Sequence, residues 1–170
     1  MRTAFIGLLA LLNFVFESTL CKYLVIRHIK PNMSVALVVC YAILRGSVEG
    51  AAIGLFTGLL QDVFFGTSVG YYALIYMAIG YICGIPTNRF FKDNFFLPLI
   101  LSVLCTVFYG LFVYVTGFLV RGRFDFSFFF NNIILPETVY TAIFSFFIYR
   151  ILFGMNSRLE KYEHSNRKVF

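Results

Sequence analysis

Three carboxylates in an otherwise apolar chain are the residues most able to do chemistry: Glu17, Asp62 and Glu137. Each falls inside, or at the edge of, a long hydrophobic run. An ionisable group within a membrane span costs on the order of 2.5–3.5 kcal/mol on insertion scales, so it ordinarily faces a bundle interior or a water-filled cavity. On that reading the three acids are candidates for one polar pocket near a single membrane face. The competing reading keeps them apart, each solvated at interfacial depth. Asp62 is the sharpest signal, near the end of its run with Gln61 beside it.

No other residues assemble into a reaction centre. Gly66-Thr67-Ser68-Val69-Gly70 matches the G-x-S-x-G pattern of hydrolase elbows. That pattern needs a strand–turn–helix setting and a histidine base. Here it joins two apolar runs, and both histidines, His28 and His164, lie outside the spans. Cys21, Cys40, Cys83 and Cys105 have no metal-ligand spacing and read as small hydrophobic fillers. No catalytic, metal or cofactor site is expected, and the chain is not expected to be an enzyme.

The elements that must position the acids follow from composition. Of 170 residues, 60% are hydrophobic and 13% charged, against about half and about a quarter in soluble domains. Lipid offers no partner to backbone polar groups, so spans must be helices or a closed barrel. The runs do not alternate as barrel strands do, so the expected fold is an all-α membrane bundle of about six helices. The candidate spans are Thr3–Cys21, Met33–Leu44, Gly50–Phe65, Tyr71–Pro86, Phe95–Val120 and Ile133–Phe153. The first lacks an A-x-A cleavage pattern and is read as a retained helix. The second covers only about 18 Å at 1.5 Å per residue. It must extend past Pro31, sit in a thinned bilayer or be buried among its neighbours. Pro98 and Pro136 are placed in the first turns of their helices. The segment Phe124–Phe130 reads as an interfacial stretch of aromatic rings.

The net charge of +6 is a topology signal rather than a nucleic-acid patch. With the N-terminus inside, the inner segments hold nine basic residues: Arg2, Arg45, Arg89, Lys92, Arg150, Arg158, Lys161, Arg167 and Lys168. The outer segments hold five, Lys22, Arg27, Lys30, Arg121 and Arg123. The excess puts both termini in the cytoplasm. Residues 1–155 are then the transmembrane domain, and residues 156–170 a short basic cytoplasmic tail.

Gly46, Gly50, Gly54 and Gly58 are spaced by four, and Asp62, Gly66 and Gly70 continue the spacing. Positions four apart lie one helical turn on, so the glycines make a groove along one side of the third helix. Small residues let a second helix approach closely where lipid supplies no hydrophobic drive. The second helix is either one of the chain's own, the favoured reading, or a partner's. Gly66 and Gly70 belong to the turn that follows.

Lys30-Pro31-Asn32, Ala42-Ile43-Leu44-Arg45-Gly46, Gly50, Gly54, Gly58-Leu59-Leu60-Gln61-Asp62, Gly66, Gly70 and Ala73-Leu74 together resemble the rod shape-determining MreD family. The Arg45-Gly46 turn and the later Asn132, Pro136 and Tyr140 fit as well. The resemblance implies a non-enzymatic scaffold of bacterial cell elongation in the cytoplasmic membrane. Its implied partners are MreC, the MreB filament, and the peptidoglycan polymerase RodA with its penicillin-binding transpeptidase. Self-association is open. The family is similar in fold to the substrate-binding subunits of energy-coupling-factor vitamin transporters, which is the alternative function. The first helix reads Ala4, Gly7, Ala10 and lacks the A-x-x-x-A spacing of those subunits. A large polar pocket would favour the transporter, and a pocket filled with Phe and Leu the scaffold.

Overall fold

The computed structural model describes residues 2–23, 31–66, 70–85, 96–119 and 126–167, with side chains described over 7–19, 31–66, 70–85, 96–117 and 126–155. The Thr67-Ser68-Val69 turn and the basic residues Arg27, Lys30, Arg89, Lys92, Arg121 and Arg123 lie outside them. So do the side chains of Lys22 and of the tail from 156 onwards.

Six helical runs emerge. They are α1 (Arg2–Tyr23), α2 (Met33–Arg45), α3 (Ser47–Phe65), α4 (Tyr71–Gly84), α5 (Phe96–Tyr114, widened into a π turn over Val115–Leu119) and α6. The last run starts at Phe126–Phe129, passes through a π turn at Phe130–Ile134 and continues over Leu135–Arg167. The fold is an all-α membrane bundle. Among the described residues, three helices are long and apolar enough to cross a membrane: Ser47–Phe65, Phe96–Gly117 and Phe126–Met155.

The sixth run begins earlier than Pro136 led the sequence to predict. Proline has no N–H to give and its ring crowds the carbonyl four residues back. A wide turn accommodates that defect, and the π turn lies immediately ahead of Pro136. The rings from Phe126 onwards thereby join α6, and Phe129 and Ile134 pack with Tyr114 of α5.

Burial accounts for the short second helix. Every residue from Met33 to Leu44 is buried, and α2 touches α1, α3, α4, α5 and α6. A helix apolar on all sides belongs in a core, so its thirteen residues need not match the bilayer. Asn32 starts it: its side chain accepts from the Val35 N–H at 3.1 Å, satisfying one of the otherwise orphaned first-turn donors.

The bundle is apolar outside and partly polar within. Leu8, Leu12, Phe64, Leu104, Phe108, Ile143 and Phe147 are exposed, whereas Asn13, Ser34, Gln61, Asp62, Thr106 and Thr141 are buried. Lipid tolerates the former; hydrogen bonds between helices satisfy Asn13, Ser34, Gln61 and Asp62, and Thr106 donates within its own helix to the Ser102 carbonyl at 2.7 Å.

Between α2 and α3 the chain turns on Gly46 alone. Its φ of 102° and ψ of 177° lie in a region essentially restricted to glycine. Gly46→Ala is therefore expected to cost about 1–3 kcal/mol, although a Cβ there would meet nothing within 4 Å. The midpoint of SDS-induced unfolding would report it; an unchanged midpoint would mean that the turn relaxes freely.

Candidate functional site

The glycine ladder is filled from within. A Cβ on Gly54 would strike the Tyr76 carbonyl, and one on Gly58 the backbone of Ala73. One on Gly50 would lie 2.6 Å from the Gly80 carbonyl oxygen. The partner groove on α4 is also glycine: a Cβ on Gly80 would strike the Gly50 carbonyl, and one on Gly84 the backbone of Ser47. The two backbones thus touch along most of their length, and α3–α4 is the most intimate helix pair in the bundle. The sequence carries a signal for this, because Gly80 and Gly84 repeat the spacing of four.

Asp62 closes that contact. It is 2% exposed and accepts three backbone N–H groups from the start of α4. Oδ2 takes those of Gly70 at 2.9 Å and Ala73 at 3.0 Å, and Oδ1 takes that of Tyr72 at 2.9 Å. The first N–H groups of a helix have no partner within it, and the helix dipole favours negative charge there. Asp62 therefore caps α4 from α3. Gly70, at φ 100°, turns the chain so that its N–H points back to the carboxylate. Gly66 lies against Asp62, where a Cβ would come within 2.6 Å of its carbonyl oxygen. Arg45 ends α2 one residue before the Gly46 turn.

The other two acids meet in one cavity, and Asp62 is not among its lining residues. The cavity holds about 270 Å³ and is lined by Glu17, Ser18, Pro31, Asn32, Gln61, Phe65, Tyr72, Tyr76, Tyr109 and Glu137. It lies at the end of the bundle where α1 and α3 finish and α2 and α4 begin. A hydrogen-bonded network ties it together. Glu17 accepts from the Gln61 amide at 2.8 Å and from the Ser34 hydroxyl. Asn13 and Gln61 both donate to Ser34, at 3.0 and 3.1 Å. Tyr76 donates to the Gln61 carbonyl oxygen at 2.8 Å. The Asn32 amide reaches Glu137 at 3.4 Å, and the Asn32 backbone N–H donates to Thr141 at 3.1 Å. Asn32 is thus both the cap of α2 and the link to α6.

One wall is aromatic. The rings of Tyr72, Tyr76 and Tyr109 stand 5.7–6.3 Å apart, centroid to centroid. Sequence reasoning passed over these tyrosines as members of apolar runs, although Tyr72 and Tyr76 are spaced by four and so share a helix face. Elsewhere, the thiols of Cys83 and Cys105 lie 3.2 Å apart between α4 and α5. Among the described residues, no group of three or more His, Cys, Asp or Glu is placed to hold a metal ion.

No curated protein and no solved structure matches the chain. A family model does match, that of the rod shape-determining protein MreD, over residues 1–157. That span takes in the Asn32 cap, the Gly46 turn, the paired glycine grooves, the Asp62 clamp and the whole acidic cavity, so the chain belongs to the MreD family of rod shape-determining membrane proteins.

Proposed function

We propose that this protein is a non-enzymatic scaffold of the bacterial cell-elongation machinery in the cytoplasmic membrane. It binds MreC and helps couple MreB filaments to peptidoglycan synthesis by RodA and its penicillin-binding transpeptidase. The family match over residues 1–157 carries the reading. The architecture supports it: the glycine grooves are spent on internal packing, and Asp62 is spent on a helix cap. The excess of basic residues in alternate loops supports a topology with both termini in the cytoplasm. The acidic cavity then opens towards the outer face.

The vitamin-transporter reading draws on one observation, the polar and aromatic lining of that cavity. Its volume of about 270 Å³ lies near the lower end of the roughly 300–1,000 Å³ usual for small-molecule pockets.

Depletion of the protein in its host should turn rods into spheres. Mass spectrometry of the tagged protein extracted in native lipid should find MreC. Retained rod shape, with a vitamin in place of MreC, would replace the scaffold by the transporter subunit.

A further inference from the structure

We propose that Cys83 and Cys105 are a redox-active dithiol within the membrane, oxidised by a lipid-soluble quinone to a disulfide that staples α4 to α5. The two sulfurs lie 3.2 Å apart. A disulfide bond is about 2.0 Å long, so they need to close by only about 1.2 Å. The third cysteine with a described side chain is a contrast. Cys40 is 0% exposed and its thiol donates to the Ser145 carbonyl at 3.5 Å, as befits the small filler that the sequence led us to expect at all four positions.

The helices hold the pair in register. Gly80 and Gly84, on either side of Cys83, press α4 against the backbone of α3. Cys105 stands one turn from Tyr109 on α5, and the Tyr109 ring packs on those of Tyr72 and Tyr76. Further along, Tyr71 hydrogen-bonds Thr116 and its ring lies 5.9 Å from that of Phe112. These contacts run antiparallel along one seam, with the two thiols at its far end. Side chains span the seam, because the backbones of α4 and α5 approach each other at few points. A covalent bond would therefore add most here, joining the α3–α4 unit to α5 and fixing the tyrosine wall of the cavity.

The surroundings select the oxidant. Cys83 is 1% exposed, and Cys105 is half-buried. The residues that flank them, Ile82 on α4 and Leu104 and Phe108 on α5, are exposed on the apolar surface of the bundle. A reagent that reaches the sulfurs past these side chains comes through lipid, so it must be neutral and lipid-soluble, as a quinone is. The reaction balances. Both S–H bonds break and one S–S bond forms. The quinone takes up the two electrons and two protons and leaves as the quinol.

The test uses the full chain in nanodiscs, reduced with tributylphosphine, washed, and exposed to decylubiquinone. After free thiols are capped with N-ethylmaleimide, mass spectrometry of the digest should find the Cys83 and Cys105 peptides joined, with two hydrogens lost. Oxidised glutathione, charged and confined to water, should give at least about tenfold less of the joined product, because access governs the rate. Oxidation should raise the melting temperature by roughly 5–10 °C, and reduction should reverse the rise. Cys105→Ser should melt at one temperature whichever reagent is added. The joined peptide is read on the unaltered chain, so the outcome stands even if that variant does not fold. The proposal is overturned by the absence of a joined peptide, by a quinone adduct on a single thiol, by a link to Cys21 or Cys40, or by an equal yield from oxidised glutathione. A joined pair with an unchanged melting temperature would overturn it as well, since no staple would then exist.

Discussion

Gly54→Leu should leave little folded protein. The position faces the backbone of Tyr76 so closely that even a Cβ has no room. Overpacking costs typically 1–3 kcal/mol where side chains can yield. Here the obstacle is a carbonyl on a packed helix, so at least about 3 kcal/mol is expected, a large share of a total stability of roughly 5–15 kcal/mol. The midpoint of SDS-induced unfolding, followed by circular dichroism, is the measurement. Gly58→Leu should behave alike, because Ala73 of α4 blocks it in the same way. Gly7→Leu is the control: a Cβ there meets nothing within 4 Å, and leucine is the better helix former. If Gly54→Leu unfolds at the wild-type midpoint, the two backbones do not touch as described. MreC capture should fall only in step with the folded fraction. Full folding with lost capture would make the ladder a partner surface after all.

Asp62→Ala should release the start of α4. It strands three backbone N–H groups, those of Gly70, Tyr72 and Ala73. A buried donor left without a partner costs about 1–3 kcal/mol. With partial relaxation the three together should cost about 3–5 kcal/mol. Asp62→Asn keeps one acceptor oxygen and should lose less. Hydrogen exchange separates this role from any other, because the amides of Tyr72 and Ala73 should exchange fastest in the alanine variant while α2 stays protected. Unchanged protection at those amides would show that the carboxylate does not hold the helix. Unchanged expression, complex formation and cell shape would remove Asp62 as a site altogether.

Both results depend on one arrangement of the chain. The glycines let α3 and α4 touch, and Asp62 sets how far α4 can slide along α3. The cavity rests on the same register, because Gln61 and Asp62 are neighbours on α3 while Tyr72 and Tyr76 stand on α4. A slip of one turn would move Tyr76 away from Gln61 and loosen the hold on Glu17. Residues that hold the helix pair and residues that line the cavity are thus interleaved along it.

The sequence by itself determined whatever depends on neighbours in the chain. Apolar runs in lipid must close their own hydrogen bonds, so the helices and most of their ends could be read directly. Asn32 before Met33, Gly46 after Arg45 and Gly70 before Tyr71 mark caps and turns that act over a few residues. The ladder's spacing also announced a close helix contact. Only the tertiary structure decided with whom each surface pairs. Sequence could not say that the ladder meets Gly80 and Gly84, that α2 is wrapped by its neighbours, or that Glu17 and Glu137 share a cavity while Asp62 caps a helix. Glu17 meets Gln61 across 44 positions, and Asn32 meets Glu137 across 105. Local propensity and hydropathy carry no information across such separations. What brings those groups together is the packing of several helices at once, which lets polar side chains far apart in the chain meet as hydrogen-bond partners in the interior.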